Sequence, residues 1–173
     1  MKTRRMFLAL WPNDRQVDQL FSMQSQYAGM GREVLPENFH ITLLFLGEIT
    51  HDTVGCLSQA VQNMTARSFS IQLNQLGYFS KTKIVWVGPT TIPAELENLF
   101  KGLRNCAQRC GISKLSKRYT PHVTLLRKCD IPVTDPEFAP IDWQVEEFHL
   151  VESRMDRNGA RYYAVESFPL SQQ

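Results

Sequence analysis

Two short strings, His40-Ile41-Thr42-Leu43-Leu44 and His122-Val123-Thr124-Leu125-Leu126, repeat one pattern at a spacing of 122 − 40 = 82 residues in a chain of 173. Phe39 to Gly47 is apolar and too short for a helix between Pro36 and Gly47, so it reads as a strand. Thr120 to Leu126 reads as another. A matched pair at close to half the chain length predicts two related lobes that face each other across a pseudo-twofold axis.

Around these strings, strands and helices mix. Arg5 to Leu10 reads as a short buried strand closed by Pro12. Asn13 or Asp14 caps a helix to about Tyr27, with Val17, Leu20, Phe21 and Met23 as its apolar stripe. Thr50 or Asp52 opens a second helix, to about Thr65. Ser68 to Leu73 alternates like a half-buried strand, and Ile84 to Val87 is joined to it through Gly77 and the Ser80-Lys81-Thr82-Lys83 turn. Pro93 suits the first turn of a third helix, which reaches Cys110 and stops at Gly111. Glu147 to Glu152 and Arg161 to Phe168 flank Asp156-Arg157-Asn158-Gly159, whose Asn-Gly is a hairpin signal. Cys129 to Ile141, with Pro132, Pro136 and Pro140, reads as an ordered surface loop. The expected fold is α+β, one two-lobed domain over residues 1–173, with antiparallel sheets lining a central cleft and helices packed outside.

A hydrophobic fraction of 43% and a charged fraction of 21% are ordinary for a globular protein and exclude long disorder. The net charge of +2 permits contact with a nucleic-acid end and argues against a protein that coats a duplex. Lys2, Arg4 and Arg5 precede an apolar run that stops at Trp11-Pro12, too short for a secretory signal. No run approaches the roughly 18 apolar residues of a membrane span. A cytoplasmic monomer is expected. Cys56, Cys106, Cys110 and Cys129 form no Cys-x-x-Cys pair and no zinc-finger spacing, so all four are expected as packing residues. Cys106 and Cys110 are placed to share a helix face.

Side chains alternate along a strand. His40 and Thr42 therefore share one face, with Ile41, Leu43 and Phe45 on the other, and His122 and Thr124 repeat the split against Val123 and Leu125. Brought face to face, the strands present two imidazoles and two hydroxyls to one space. A cyclic phosphodiester opened by water needs a base for the water and an acid for the departing ribose oxygen, and histidine serves as either near neutrality. Thr42 and Thr124 hydroxyls suit the non-bridging phosphate oxygens, and Arg127 adds a cation. No cofactor or metal is called for, and no carboxylate cluster is present to hold a metal. A single His-x-Thr is ordinarily a satisfied polar pair; two copies in register with apolar residues are not explained that way. His51 and His149 have no echo and read as surface or packing residues, and Trp11, Trp86 and Trp143 as core or rim. Tyr119 and Phe39, beside the motifs, are minor candidates for stacking on a base.

The chain resembles the bacterial RNA 2',3'-cyclic phosphodiesterases, also called the 2'-5' RNA ligase family, within the two-histidine phosphoesterase superfamily. The resemblance rests on Arg5-Met6-Phe7-Leu8-Ala9-Leu10 with Pro12, on Asn38-Phe39-His40-Ile41-Thr42-Leu43-Leu44-Phe45-Leu46-Gly47-Glu48, and on Pro121-His122-Val123-Thr124-Leu125-Leu126-Arg127. Leu150-Val151-Glu152-Ser153 and Tyr162 also fit. It implies a bilobal fold with both motifs lining the cleft, and hydrolysis of terminal 2',3'-cyclic phosphates to 2'-phosphates. It further implies joining of tRNA halves through a 2'-5' linkage. By the resemblance His40 is the proton donor, His122 the proton acceptor, and Thr42, Thr124 and Arg127 hold the phosphate. The alternatives are a phosphodiesterase for small cyclic or 2',5'-linked nucleotides, a non-catalytic binder of RNA ends, and a metal-dependent hydrolase.

Overall fold

Strand β1 (Thr3–Leu10) is paired on both edges and buried on both faces from Met6 to Leu10, with the main core on one face and Trp11 and Tyr162 over the other. Helix α1 (Asp14–Ser25) comes next, then β2 (Arg32–Glu33), β3 (Ile41–Thr50), α2 (His51–Gln62) and β4 (Phe69–Leu73). The chain continues with β5 (Gln75–Phe79), β6 (Ile84–Gly88), α3 (Ala94–Arg109) and β7 (Val123–Arg127), and ends with β8 (Ile141–Val145), β9 (Glu147–Asp156) and β10 (Gly159–Pro169). The computed structural model describes residues 2–133, 137–157 and 159–172; Pro136 of the proline-rich loop and Asn158 of the Asn-Gly turn lie outside them.

One sheet runs β10-β9-β1-β3-β7-β6-β5, with β2 added beside β7. Its centre is narrow: β3 and β7 meet through the single antiparallel pair Ile41–Val123. Met6, Leu8 and Leu10 enter the main core, which also takes the buried faces of all three helices. Phe7 and Ala9 point the other way and join Val151 in a small cluster beneath Trp11 and Tyr162. The helices thus cover one side of the sheet and leave the other to the cleft. Among the described residues no helix is long and apolar enough to cross a membrane.

The starts of α1 and α2 are set by side-chain caps. Asn13 accepts from the Gln16 backbone N–H at 3.1 Å while the Gln16 side chain accepts from the Asn13 N–H at 2.8 Å. Thr50 caps α2 by accepting from the Thr53 N–H at 3.2 Å. The buried face of α1 is Gln16, Leu20, Met23 and Gln24, and Phe21, expected in the stripe, is 49% exposed. The two amides are buried because backbone carbonyls face them: Gln16 donates to Asp142 O, and Gln24 to Val34 O and Leu125 O. Apolar periodicity alone turns the helix away from such positions.

Three further expectations change. β4 does not pair with β6; it forms a separate two-stranded sheet with β8, and β5 takes the place beside β6. β5 escapes a propensity reading because Gly77 sits inside it. A Cβ there would stand 2.1 Å from the Trp86 ring, so the glycine admits the indole rather than making a turn. β8 begins where the expected loop ends, alternating Ile141, Trp143 and Val145 inward. Finally, Cys56 on α2 and Cys110 just past α3 are joined in a disulfide, while Cys106 and Cys129 are buried thiols. Spacing along the chain does not reveal a bond between residues 54 apart.

Both motif strands carry a bulge at the same place. Across β3, Leu44 pairs with Leu8 and Thr42 with Ala9, leaving Leu43 extra; across β7, Leu126 pairs with Val85 and Thr124 with Trp86, leaving Leu125 extra. The extra residue makes both leucines of each string buried neighbours and flips the residues beyond them. Phe45, expected in the core with Ile41 and Leu43, is instead 47% exposed on the cleft side, and Arg127 occupies the matching position in the other half.

Candidate active site

His40 and His122 stand one residue before β3 and β7. The antiparallel register of Ile41 with Val123 runs His40 toward Thr124 and His122 toward Thr42, since 41 + 123 = 40 + 124 = 42 + 122. Ile41 and Val123 are buried, so the four polar side chains take the opposite face, around the local twofold axis.

Each imidazole is held the same way. His40 Nδ1 lies 2.7 Å from Asn38 O, and His122 Nδ1 lies 2.7 Å from Thr120 O. A carbonyl only accepts, so the proton sits on Nδ1 in both rings and Nε2 is the nitrogen left for chemistry. His40 Nε2 is 3.0 Å from Thr42 Oγ1, which donates to it when the ring is neutral. Aromatic side chains fix the ring planes. Trp11 stacks on His40 with centroids 5.8 Å apart, and Phe7 and Tyr162 pack on it at 5.1 Å. Phe79 packs edge-on against His122 at 5.1 Å, with Trp86 at 6.0 Å.

This packing sets the proton affinities. Burial lowers the His40 pKa to about 4; the Asn38 carbonyl works against the fall, and the charges of Arg127 and His122 add to it. Burial also lowers His122, with Arg127 adding to the effect and the Thr120 carbonyl opposing it. Both rings are therefore neutral in the free protein at pH 7.

The cleft has a volume of about 750 Å³. Its walls include His40, Thr42, Thr124 and Arg127, together with Arg5, Arg32 and Arg161. Arg5 lies over the Phe45 ring at 5.0 Å, and Arg161 pairs with Asp156. Among the described residues no group of three or more His, Cys, Asp or Glu is gathered so as to hold a metal.

The structure thus brings together His40, Thr42, His122, Thr124 and Arg127. It removes Phe39 and Tyr119 from the cleft: Phe39 is fully buried, and Tyr119 stacks on Phe100 at 4.6 Å with its hydroxyl buried. Base-stacking roles for both are corrected accordingly. His51 is exposed at the start of α2. His149 bonds Ser167 Oγ at 2.8 Å beside Trp11, a packing position. Sequence reasoning missed the aromatic shell of Phe7, Trp11, Phe79 and Trp86, because no local spacing links those residues to the histidines. Arg32 was missed as well, since a two-residue strand leaves no periodic trace.

A family model described as LigT like Phosphoesterase matches the chain twice, over residues 10–86 and 87–162, one match for each half of the internal repeat. The RNA 2',3'-cyclic phosphodiesterase of Escherichia coli K12 is 33% identical over 144 residues, covering 82% of this chain and 81% of the relative. That of Thermus thermophilus is 31% identical over 156 residues, covering 80% and 75%. Among solved structures, E. coli LigT complexed with 3'-AMP matches with a TM-score of 0.90 at 28% identity, over 99% of this chain and all of that one.

Proposed function

The chain belongs to the LigT like phosphoesterases, and from that membership we propose that it hydrolyses 2',3'-cyclic phosphate ends of RNA to 2'-phosphates. The observation that carries the reading is the twin His-x-Thr arrangement, with both Nδ1 protons engaged by carbonyls so that each ring turns Nε2 away from the backbone, that of His40 toward the Thr42 hydroxyl.

His122 Nε2 takes a proton from water as the water oxygen attacks phosphorus. His40 Nε2 gives a proton to the ribose 3'-oxygen as its bond to phosphorus breaks. Thr42, Thr124 and Arg127 hold the non-bridging oxygens, where negative charge grows. His40 enters this scheme against its resting state, because its free pKa of about 4 leaves it neutral. The bound phosphodiester works against this: its negative charge offsets Arg127 and raises both imidazoles, and the step requires that His40 be the one carrying the extra proton. With an RNA 5'-hydroxyl attacking phosphorus in place of water and the ribose 3'-oxygen leaving as before, the same groups join RNA ends, tRNA halves among them, through a 2'-5' linkage. No metal takes part. The reading places the chain as a single-domain monomer in the cytoplasm.

The test is turnover, in chelator, of adenosine 2',3'-cyclic phosphate and of a ten-nucleotide RNA ending in the cyclic phosphate, with the product isomer identified. The expected result is 2'-phosphate from both, faster from RNA. Faster turnover of the mononucleotide favours the small-nucleotide reading. A 3'-phosphate product, or activity that appears only when a divalent ion is restored, overturns the mechanism.

A further inference from the structure

Strand β2 is two residues long, yet it is pinned to β7 at both of its ends. Gly31 lets it approach β7: a Cβ there would stand 2.8 Å from Arg127 O and 3.1 Å from Cys129 Cβ. Just past its other end the Val34 N–H donates to Leu125 O of the same strand β7 at 3.0 Å, and the buried Gln24 amide bridges Val34 O and Leu125 O at 2.8 Å each. The result of this anchoring is one register, with Arg32 directly opposite Arg127.

Residues directly opposed on antiparallel strands share a face, and both arginines line the cleft. Like charges so placed repel. Among the described residues neither arginine forms an ion pair with a carboxylate. The fold thus places two cations side by side in a cleft and leaves an anion to relieve them. Arg127 is committed toward the histidines, since its charge depresses both imidazoles. Arg32 stands one strand further out. Arg5 rests on Phe45 and Arg161 on Asp156, which leaves Arg32, among the described residues, in no ion pair and no ring contact. The cleft, at about 750 Å³, is toward the large end of single-ligand pockets and has room beyond one cyclic nucleotide.

Resting on the phosphodiesterase function proposed above, we infer that Arg32 is the subsite for the phosphate on the 5' side of the terminal ribose. That phosphate is the internucleotide diester of an RNA chain and is absent from a cyclic mononucleotide. Arg127 holds the reacting phosphate, Arg32 the next one, and the pair reads the substrate as a chain end.

The experiment compares kcat/KM for adenosine 2',3'-cyclic phosphate with that for the same nucleotide carrying a 5'-methylphosphate, a single added diester charge without a second base. In the wild type the methylphosphate raises kcat/KM about tenfold or more, through KM, as expected for a charge-assisted contact. This advantage shrinks as salt rises. In Arg32→Gln the ratio of the two substrates falls to about one, and Arg32→Lys restores part of it, an ammonium being a point charge rather than a fork. The unliganded Arg32→Gln protein melts no lower than the wild type, because a like-charge pair is removed. A wild-type ratio near one overturns the subsite, as does an equal loss on both substrates in Arg32→Gln, with or without a lowered melting temperature. Absence of turnover on either substrate by the folded wild type overturns the phosphodiesterase reading itself, which separates the two failures.

Discussion

The two halves of the cleft share a frame and differ in what they hang on it. Each has a histidine locked at Nδ1 by the carbonyl two residues earlier, a threonine two residues later, and a bulge at the leucine pair. Five residues past the histidine the halves part: one presents Phe45, the other Arg127. The surroundings of the rings differ too. His40 is enclosed by Phe7, Trp11 and Tyr162 and bonded to Thr42, whereas His122 has Phe79 and Trp86. Duplication accounts for the paired His and Thr geometry; the departures from symmetry give the two rings different surroundings. Arg127 enters from the β7 side, and burial takes the pKa of the more deeply packed imidazole, His40, down to about 4.

The broadest prediction tests the shared frame. His40→Ala and His122→Ala each remove one proton transfer and should each lower kcat by about 10²–10⁴-fold. A variant at either position with near-normal turnover would break the pairing. Position five tests the asymmetry. Arg127→Gln removes a charged donor from the phosphate and should cost roughly 10²-fold in kcat/KM, whereas Phe45→Leu should cost less than about threefold. Equal losses would mean that the halves share the phosphate evenly.

Thr42→Val and Thr124→Val should each cost about 10–100-fold. They should differ in pH response, since Thr42 alone is bonded to its own histidine; the acidic limb should move in Thr42→Val and stay in place in Thr124→Val. The smallest effect is the position of the profile itself. A free-enzyme histidine pair of unperturbed groups centres near neutrality, but both imidazoles here are lowered, His40 to about 4. The profile of kcat/KM, which reports the free enzyme, should therefore peak below pH 6.5, and the profile of kcat, which reports the complex, should lie at higher pH. A kcat/KM optimum above 7.5 would remove the role given to burial.

Much of the site was legible because it rests on a local rule. Successive strand side chains alternate, so His40 with Thr42 and His122 with Thr124 could be placed on one face without coordinates. The same rule misplaces the residues past the bulge. Strict alternation from Ile41 puts Phe45 in the core, and from Val123 it would put Arg127 there as well. Both reach the cleft because Leu43 and Leu125 are extra residues relative to their partner strands. The repeated leucine pair was visible, but a bulge is a relation between two strands and has no signature in one of them.

Taken alone, the sequence determined the duplicated pattern, the identity of the paired histidines and threonines, a choice of two caps for each of the first two helices, and the α+β class. Each comes from backbone geometry or side-chain chemistry within a few residues. Tertiary structure decided the partners: β4 with β8, β5 with β6, Cys56 with Cys110, and Arg32 with Arg127. It also decided the aromatic enclosure that takes His40 below its ordinary pKa. Strand partners and the depth of a ring's burial depend on how loops close and both sheet faces are covered, and those energies belong to contacts between residues far apart in the chain.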